Sequence, residues 1–250
     1  MMRIIINADD LGLSQKVNEE IANSLSSGLI TSSTILANSN YWDDIHRIVG
    51  AYPKASFGAH LNLTEGQAMT KSKVLQEIGI VDEQNLFTRK IQSLSRIEKP
   101  VQNALYEELS AQLNKVVVDE KIDISHIDGH HHIHTLPILT PVILELIERF
   151  GIKRMRNRYS YPLSFPHLGL KDKCWKARFT LRGVEITHYF DSYTGFVKRL
   201  NHGLTYNLNS TVELMCHPGH EKYIDEMMLV TAHEVENSVK GVTYISYLDL

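Results

Sequence analysis

Thirteen histidines occur in 250 residues, and His126, His130, His131, His132 and His134 all fall within one stretch, HIDGHHHIH. Imidazole binds metals readily and titrates near neutrality, so this stretch is where chemistry is expected. If the backbone stays extended from 126 to 134, then His126, Asp128, His130, His132 and His134 share one face, with Ile127, His131 and Ile133 on the other. That face would offer several imidazoles and a carboxylate. One or two serve as ligands, and the rest orient them or touch substrate. An exposed metal-scavenging tract is the plain alternative, and the apolar spacing of the run argues against it.

Two adjacent carboxylates, Asp9 and Asp10 in NADDLG, follow an apolar run of isoleucines. Like charges in such a place repel unless a cation or a shared proton relieves them. Neighbouring residues of an extended chain point to opposite sides, so both serve one site only if the backbone turns between them. One would then bind the cation while the other handles a proton; the competing reading is a turn and helix cap. His60 in GAHLNLT would be a satisfied core histidine if it stood alone, but it lies near a strand end in register with the other groups. His217 in MCHPGH precedes a Pro-Gly turn and suits a general acid. Arg156 either orients a carboxylate and holds it ionised or joins Arg154 and Arg158 on a solvated edge.

Apolar, β-branched runs that would position these residues recur near 3–8, 32–37, 55–63, 123–128, 152–157, 184–190, 211–217 and 242–247. Helical spacing separates most of them: Val17, Ile21 and Leu25 between a Ser14 cap and Gly28; 102–119; 138–150 with Pro141 in the first turn; and, more weakly, 228–239. This alternation predicts an α/β fold of the (β/α) barrel type, TIM-like and open to distortion, with a doubly wound open sheet as the competing architecture. Barrel enzymes gather their reactive groups at the carboxyl ends of the strands, where Asp9, Asp10, His60, Asp128, His130, Arg156 and His217 all fall. A single domain over 1–250 is expected, since no composition shift marks a boundary. The connection at about 64–100 is too long for an ordinary loop and is expected to cross the barrel mouth as a lid or a subunit contact.

Composition excludes several classes. Hydrophobic residues make up 43% and charged residues 22%, ordinary for a globular chain, and the net charge of −3 gives no reason to expect nucleic acid as a partner. Cys174 and Cys216 supply no paired spacing, so any metal rests on His and carboxylates. The opening MMRIIINADD lacks a signal-peptide pattern and no apolar run is long enough to span a membrane, which predicts a cytoplasmic protein. There is no G-x-G-x-x-G after the first strand, no phosphate-binding G-x-x-x-x-G-K-[ST], no G-x-S-x-G and no H-E-x-x-H, which removes the usual support for nucleotide chemistry and serine hydrolysis.

Taken in order, NADDLGLS, TSSTILAN, GAHLNLT, HIDGHHHIH and MCHPGH resemble the YdjC family of carbohydrate deacetylases. Leu11 and Gly129 depart from the commoner Phe and Ser of that pattern. The resemblance, with its distant similarity to NodB-like polysaccharide deacetylases, implies a (β/α) barrel and one divalent cation, Mg²⁺ or Zn²⁺, held by Asp10, His60 and His130. It implies Asp9 as general base and His217 as general acid, acting on a short N-acetylated sugar such as a chitooligosaccharide. Asp128, His132 and Arg156, which the resemblance does not assign, are expected toward the substrate. A homodimer is compatible with it. Hydrolysis of another bond, such as a phosphoester, or a non-catalytic sugar-binding regulator are the alternatives.

Overall fold

The computed structural model describes residues 1–158, 170–203, 209–239 and 241–250. Its first half runs β1 (Met2–Leu11), α1 (Gln15–Ser26), β2 (Ser32–Ile35), α2 (Trp42–Ala51), β3 (Ser56–Leu61), α3 (Lys73–Glu77), α4 (Lys99–Asn114) and β4 (Ile127–Gly129). The second half runs α5 (Thr140–Phe150), β5 (Arg154–Met155), α6 (Leu170–Thr180), β6 (Glu185–Ile186), β7 (Tyr189–Ser192), α7 (Tyr193–Asn201), β8 (Thr211–Cys216), α8 (Ile224–Thr231), α9 (Glu234–Ser238) and β9 (Val242–Tyr244).

The strands pair in parallel in the order β6-β5-β4-β3-β2-β1-β8-β7, with β9 beside the start of β1. Neighbours in sequence are neighbours in space, which is barrel order and not the reversal that marks a doubly wound sheet. Among the described residues no pairing joins β6 to β7, so the sheet curls without closing. The expected barrel is therefore present in a distorted form.

Local sequence explains most elements. Ser14 caps α1 by accepting the Val17 N–H, and Gly28 follows its end at φ 74°. Pro occupies the first turn of α5, where its missing N–H costs nothing. Two expectations need correction. The run 184–190 is not one strand but β6 and β7, the two free ends of the sheet path. The helix expected over 228–239 is broken into α8 and α9 at His233, whose φ is 53°.

One apolar cluster lies under α4 and α5 against β3 to β5 (Leu61, Leu105, Leu109, Ile143, Met155), another under α1, α2 and α7 against β1, β2 and β8 (Ile4, Ile21, Ile45, Phe196, Leu214). The 64–100 connection is built into the first, burying Leu75, Ile80, Val81 and Ile91. Among the described residues no helix is long and apolar enough to cross a membrane.

Candidate active site

A cavity of about 750 Å³ opens over the carboxyl ends of the strands and is lined by Asp9, Asp10, His60, His130, His132 and His217 among others. The first two are brought there by a fault in β1. Its register with β2 slips between Ala8 and Leu11, and Asp10 sits at φ 73°. This bulge supplies the turn that adjacent carboxylates require to face one cavity. A non-glycine residue in the left-handed region is strained, and aspartate is among the side chains that tolerate it best.

Asp10 Oδ1 lies 2.9 Å from His130 Nδ1 and 3.3 Å from His60 Nε2. All three residues are buried, and the three atoms lie within 4.8 Å of one another. Neither Asp10 Oδ1 nor His60 Nε2 has a partner in hydrogen-bonding alignment. Buried lone-pair atoms that converge without partners are what a cation would use, and one carboxylate with two imidazoles suits zinc or a harder divalent ion. Burial works against a charged His60, but the Asp128 carboxylate and contact with Asp10 outweigh it and lift the imidazole to about 10. Without a cation, a proton balances these carboxylates. Asp128 Oδ1 takes the other nitrogen of His60, Nδ1, at 2.6 Å, the usual way a carboxylate orients a metal-binding imidazole.

Asp9 is clamped. Arg156 donates from Nη2 to Asp9 Oδ1 at 2.6 Å and from Nη1 to Oδ2 at 2.8 Å, and Asn7 Nδ2 donates to Oδ1 at 2.8 Å. Burial pushes the Asp9 carboxyl up, but the guanidinium more than offsets it and holds the group well below the usual carboxylate range. Across the cavity, His217 Nδ1 meets Glu226 Oε2 at 3.0 Å, and the ring stacks on Tyr223 at 4.1 Å. Burial favours a neutral imidazole, but Glu226 overrides it and raises the His217 pKa above its ordinary value.

Two residues expected against the substrate stand elsewhere. Arg156 and Asp128 are fully buried and do not line the cavity. Arg156 spends its donors on Asp9, on Asp128 at 2.8 Å and on Glu213 at 2.7 Å, while Asp128 holds His60 and Thr34. They lie beneath the floor, so of the two readings of Arg156 the orienting one fits and the solvated edge does not. His132 does line the cavity.

The extended reading of the histidine run also fails past β4. A tight helical turn begins at His130, and His131 and His132 take positive φ of 50° and 58°. His131 is thereby brought to the cavity wall. His126 and His134 are buried away from it: His126 stacks on Tyr247 at 3.6 Å, and His134 has no hydrogen-bond partner on either ring nitrogen. Glu226, Thr34, Asn7 and Glu213 were not singled out from sequence. An acid within the apolar strand TVELMC was the available signal for Glu213, whereas Glu226 follows His217 across a turn and gave none.

Ionisable groups gathered at the carboxyl ends of a curled parallel sheet make the layout of an α/β-barrel enzyme. The chain belongs to the YdjC-like family, whose model, described as YdjC-like protein, matches residues 3–240. A carbohydrate deacetylase of Listeria monocytogenes is 32% identical over 251 residues, covering all of this chain and 93% of its own. One from Halalkalibacterium halodurans is 29% identical, covering all of this chain and 97% of its own. A crystal structure from Enterococcus faecalis V583, named for cellobiose-phosphate cleavage, superposes with a TM-score of 0.76 at 21% identity, over 99% of this chain and 98% of that one. It shows the same fold.

Proposed function

We propose that the chain is a metal-dependent carbohydrate N-deacetylase that removes acetyl groups from short amino sugars such as chitooligosaccharides and releases acetate. The observation that carries this reading is the convergence of Asp10, His60 and His130 in one cavity with Asp9 and His217. The curated relatives named carbohydrate deacetylases support the substrate class.

Asp10, His60 and His130 would hold the ion, Mg²⁺ or Zn²⁺. When bound, it supplies Lewis-acid polarisation of the acetamide carbonyl and a lowered pKa for water. Asp9 accepts the proton of the water that attacks the acetamide carbon. Its clamp on Arg156 keeps it ionised and aimed, at the expense of basicity, so the water it serves must already be acidified. His217, whose pKa Glu226 raises above its ordinary value, donates a proton to the sugar nitrogen as the C–N bond breaks, leaving free amine and acetate. His132 lies on the cavity wall where the sugar would rest.

The phosphoester alternative asks for two cations about 3.5 to 4 Å apart. Among the described residues two further groups could hold an ion, Glu65 with His130 and His131, and the buried Asp9 with His60 and Asp128; each shares a histidine with the first set, so neither is an independent second site.

The test is acetate release from acetylated chitobiose, chitotriose and monosaccharides by the metal-stripped protein, with and without added ion. Asp9→Asn is expected to retain Zn²⁺ and lose turnover by ~10³-fold, within the range for removing a general base. Asp10→Asn, which suits the left-handed backbone, is expected to lose both Zn²⁺ and turnover. Loss of the ion from Asp9→Asn, or full activity after chelation, contradicts the assignment.

A further inference from the structure

We infer that Glu65, at the start of the 64–100 connection, is a positioning residue for His130: it accepts the Nε2 proton so that bare Nδ1 faces Asp10. This rests on the reading of Asp10, His60 and His130 as a cation site.

The two histidines are held in mirror-image fashion. His60 turns Nε2 to Asp10 and gives Nδ1 to Asp128 at 2.6 Å. His130 turns Nδ1 to Asp10 at 2.9 Å and gives Nε2 to Glu65 Oε2 at 3.3 Å. A neutral imidazole carries one N–H, so a carboxylate at one nitrogen fixes the tautomer and leaves the other nitrogen's lone pair free for a cation. Asp128 is locked under the floor by Arg156 and Thr34. Glu65 has no such burial, and among the described residues it is ion-paired with His130 and, at 3.4 Å, Arg89.

Its placement comes from the backbone. Gln112 on α4 clamps Asn62, accepting its N–H at 2.9 Å and donating to its carbonyl at 2.6 Å. Asn62 Oδ1 then accepts the N–H of Thr64 at 2.9 Å and of Glu65 at 3.1 Å, and Asn62 Nδ2 donates back to the Glu65 carbonyl at 2.6 Å. Asn38 holds the same carbonyl at 3.1 Å. Gly66 must turn at φ +74°, and a Cβ there would meet Asn38 Nδ2 at 2.9 Å. Thr64 Oγ1 lies 2.8 Å from His131 Nδ1, so the segment grips His131 as well as His130. Buried Glu108 anchors its far side by accepting the N–H groups of Met69 and Thr70 at 3.0 and 2.7 Å. The connection is thus a brace that reaches the candidate ligand His130, with α4 as its foundation.

The experiment measures Zn²⁺ affinity of the metal-stripped full chain by competition with a chromogenic chelator, for wild type, Glu65→Ala and Glu65→Gln. Glu65→Ala is expected to weaken binding by about 10- to 100-fold, the usual cost of losing a partner of a ligating histidine. Glu65→Gln is expected to recover most of that loss, because its amide oxygen accepts the same N–H. Long-range ¹H–¹⁵N spectra of the Zn²⁺-loaded protein are expected to show the His130 Nε2 proton shifted downfield and slow to exchange in wild type and Glu65→Gln but not in Glu65→Ala, a signature of the hydrogen bond that loosened packing alone would not give. Affinity of Glu65→Ala within about twofold of wild type overturns the inference, well short of the expected effect. Equal, complete loss in both variants also overturns it, making Glu65 a ligand. A wild-type chain that binds no Zn²⁺ sinks this inference together with the reading beneath it. Zn²⁺ binding that responds to Glu65 as expected, without acetate release from any sugar, sinks only the proposed reaction.

Discussion

Glu226 does to His217 what Arg156 does to Asp9, with the opposite sign. A carboxylate 3.0 Å from Nδ1 fixes the proton there, and it also accepts the His217 backbone N–H at 2.9 Å, so ring and main chain are held by one oxygen. A general acid must carry its proton when the leaving group departs, and the rate falls as pH rises past its pKa. Burial pulls the His217 pKa down and Glu226 pulls it up further. Removing the charge in Glu226→Gln while keeping an acceptor oxygen is therefore expected to move the alkaline limb of the kcat profile to lower pH, leaving the acid limb in place. An unmoved alkaline limb would mean that His217 is not the acid.

At the scale of elements, what the sequence made readable was periodicity, and what it hid was conformation at single residues. β1, β3, β8, α1 and α5 follow from apolar spacing and caps because nothing in the tertiary structure overrides them. The bulge at Asp10, the left-handed pair His131 and His132, and the break at His233 depend on positive φ at residues other than glycine, which no local pattern announces. Those first two departures also set which side chains meet, so the general neighbourhood of the site was legible while the separation of floor from wall was not. α7 was hidden because its buried Tyr193, Phe196 and Val197 continue a β-like run and Gly195 lies inside it. Close packing shows the same dependence at β3. Gly58 leaves room for the His126 ring, and a Cβ there would lie 2.6 Å from its Cε1. His126 is backed by Tyr247 and cannot retreat. Gly58→Ala is expected to destabilise the fold by about 1–3 kcal/mol in urea denaturation, the range for overpacking a core; an unchanged midpoint would show that the interior can yield there.

Over the whole molecule the interior is more polar than a barrel core needs to be, and that sets its stability against pH. Arg156, from the end of β5, ties together Asp9 on β1, Asp128 on β4 and Glu213 on β8, while Tyr247 donates to Glu213. Around this network several histidines are buried neutral. Burial, then the charge of Arg156, drives His126 well below its ordinary value. Burial drives His134 down too, and takes His132 to about 3, with Arg156 again adding to the effect. Such groups bind protons in the unfolded chain that they refuse in the folded one. Their contribution is complete above about 6.5 and is lost as pH falls, at about 1.4 kcal/mol per pH unit for each. Glu213 acts in the other direction. Its burial outweighs the pull of Arg156 and raises it to about 7, so its contribution is present below 4.5 and lost as pH rises through 7. These histidines, joined by His131, which burial lowers to about 4, and by His188, also lowered by burial, outweigh the one glutamate, so stability rises with pH between about 4 and 6.5. His134 offers the clean test because neither ring nitrogen has a hydrogen-bond partner, and an apolar side chain of similar size relieves that cost without opening a cavity. His134→Leu is expected to be at least as stable as wild type at neutral pH and to flatten the slope below 6.5 by about 1.4 kcal/mol per unit in urea titrations. A parallel, undiminished slope in the variant would assign the acid sensitivity to other groups.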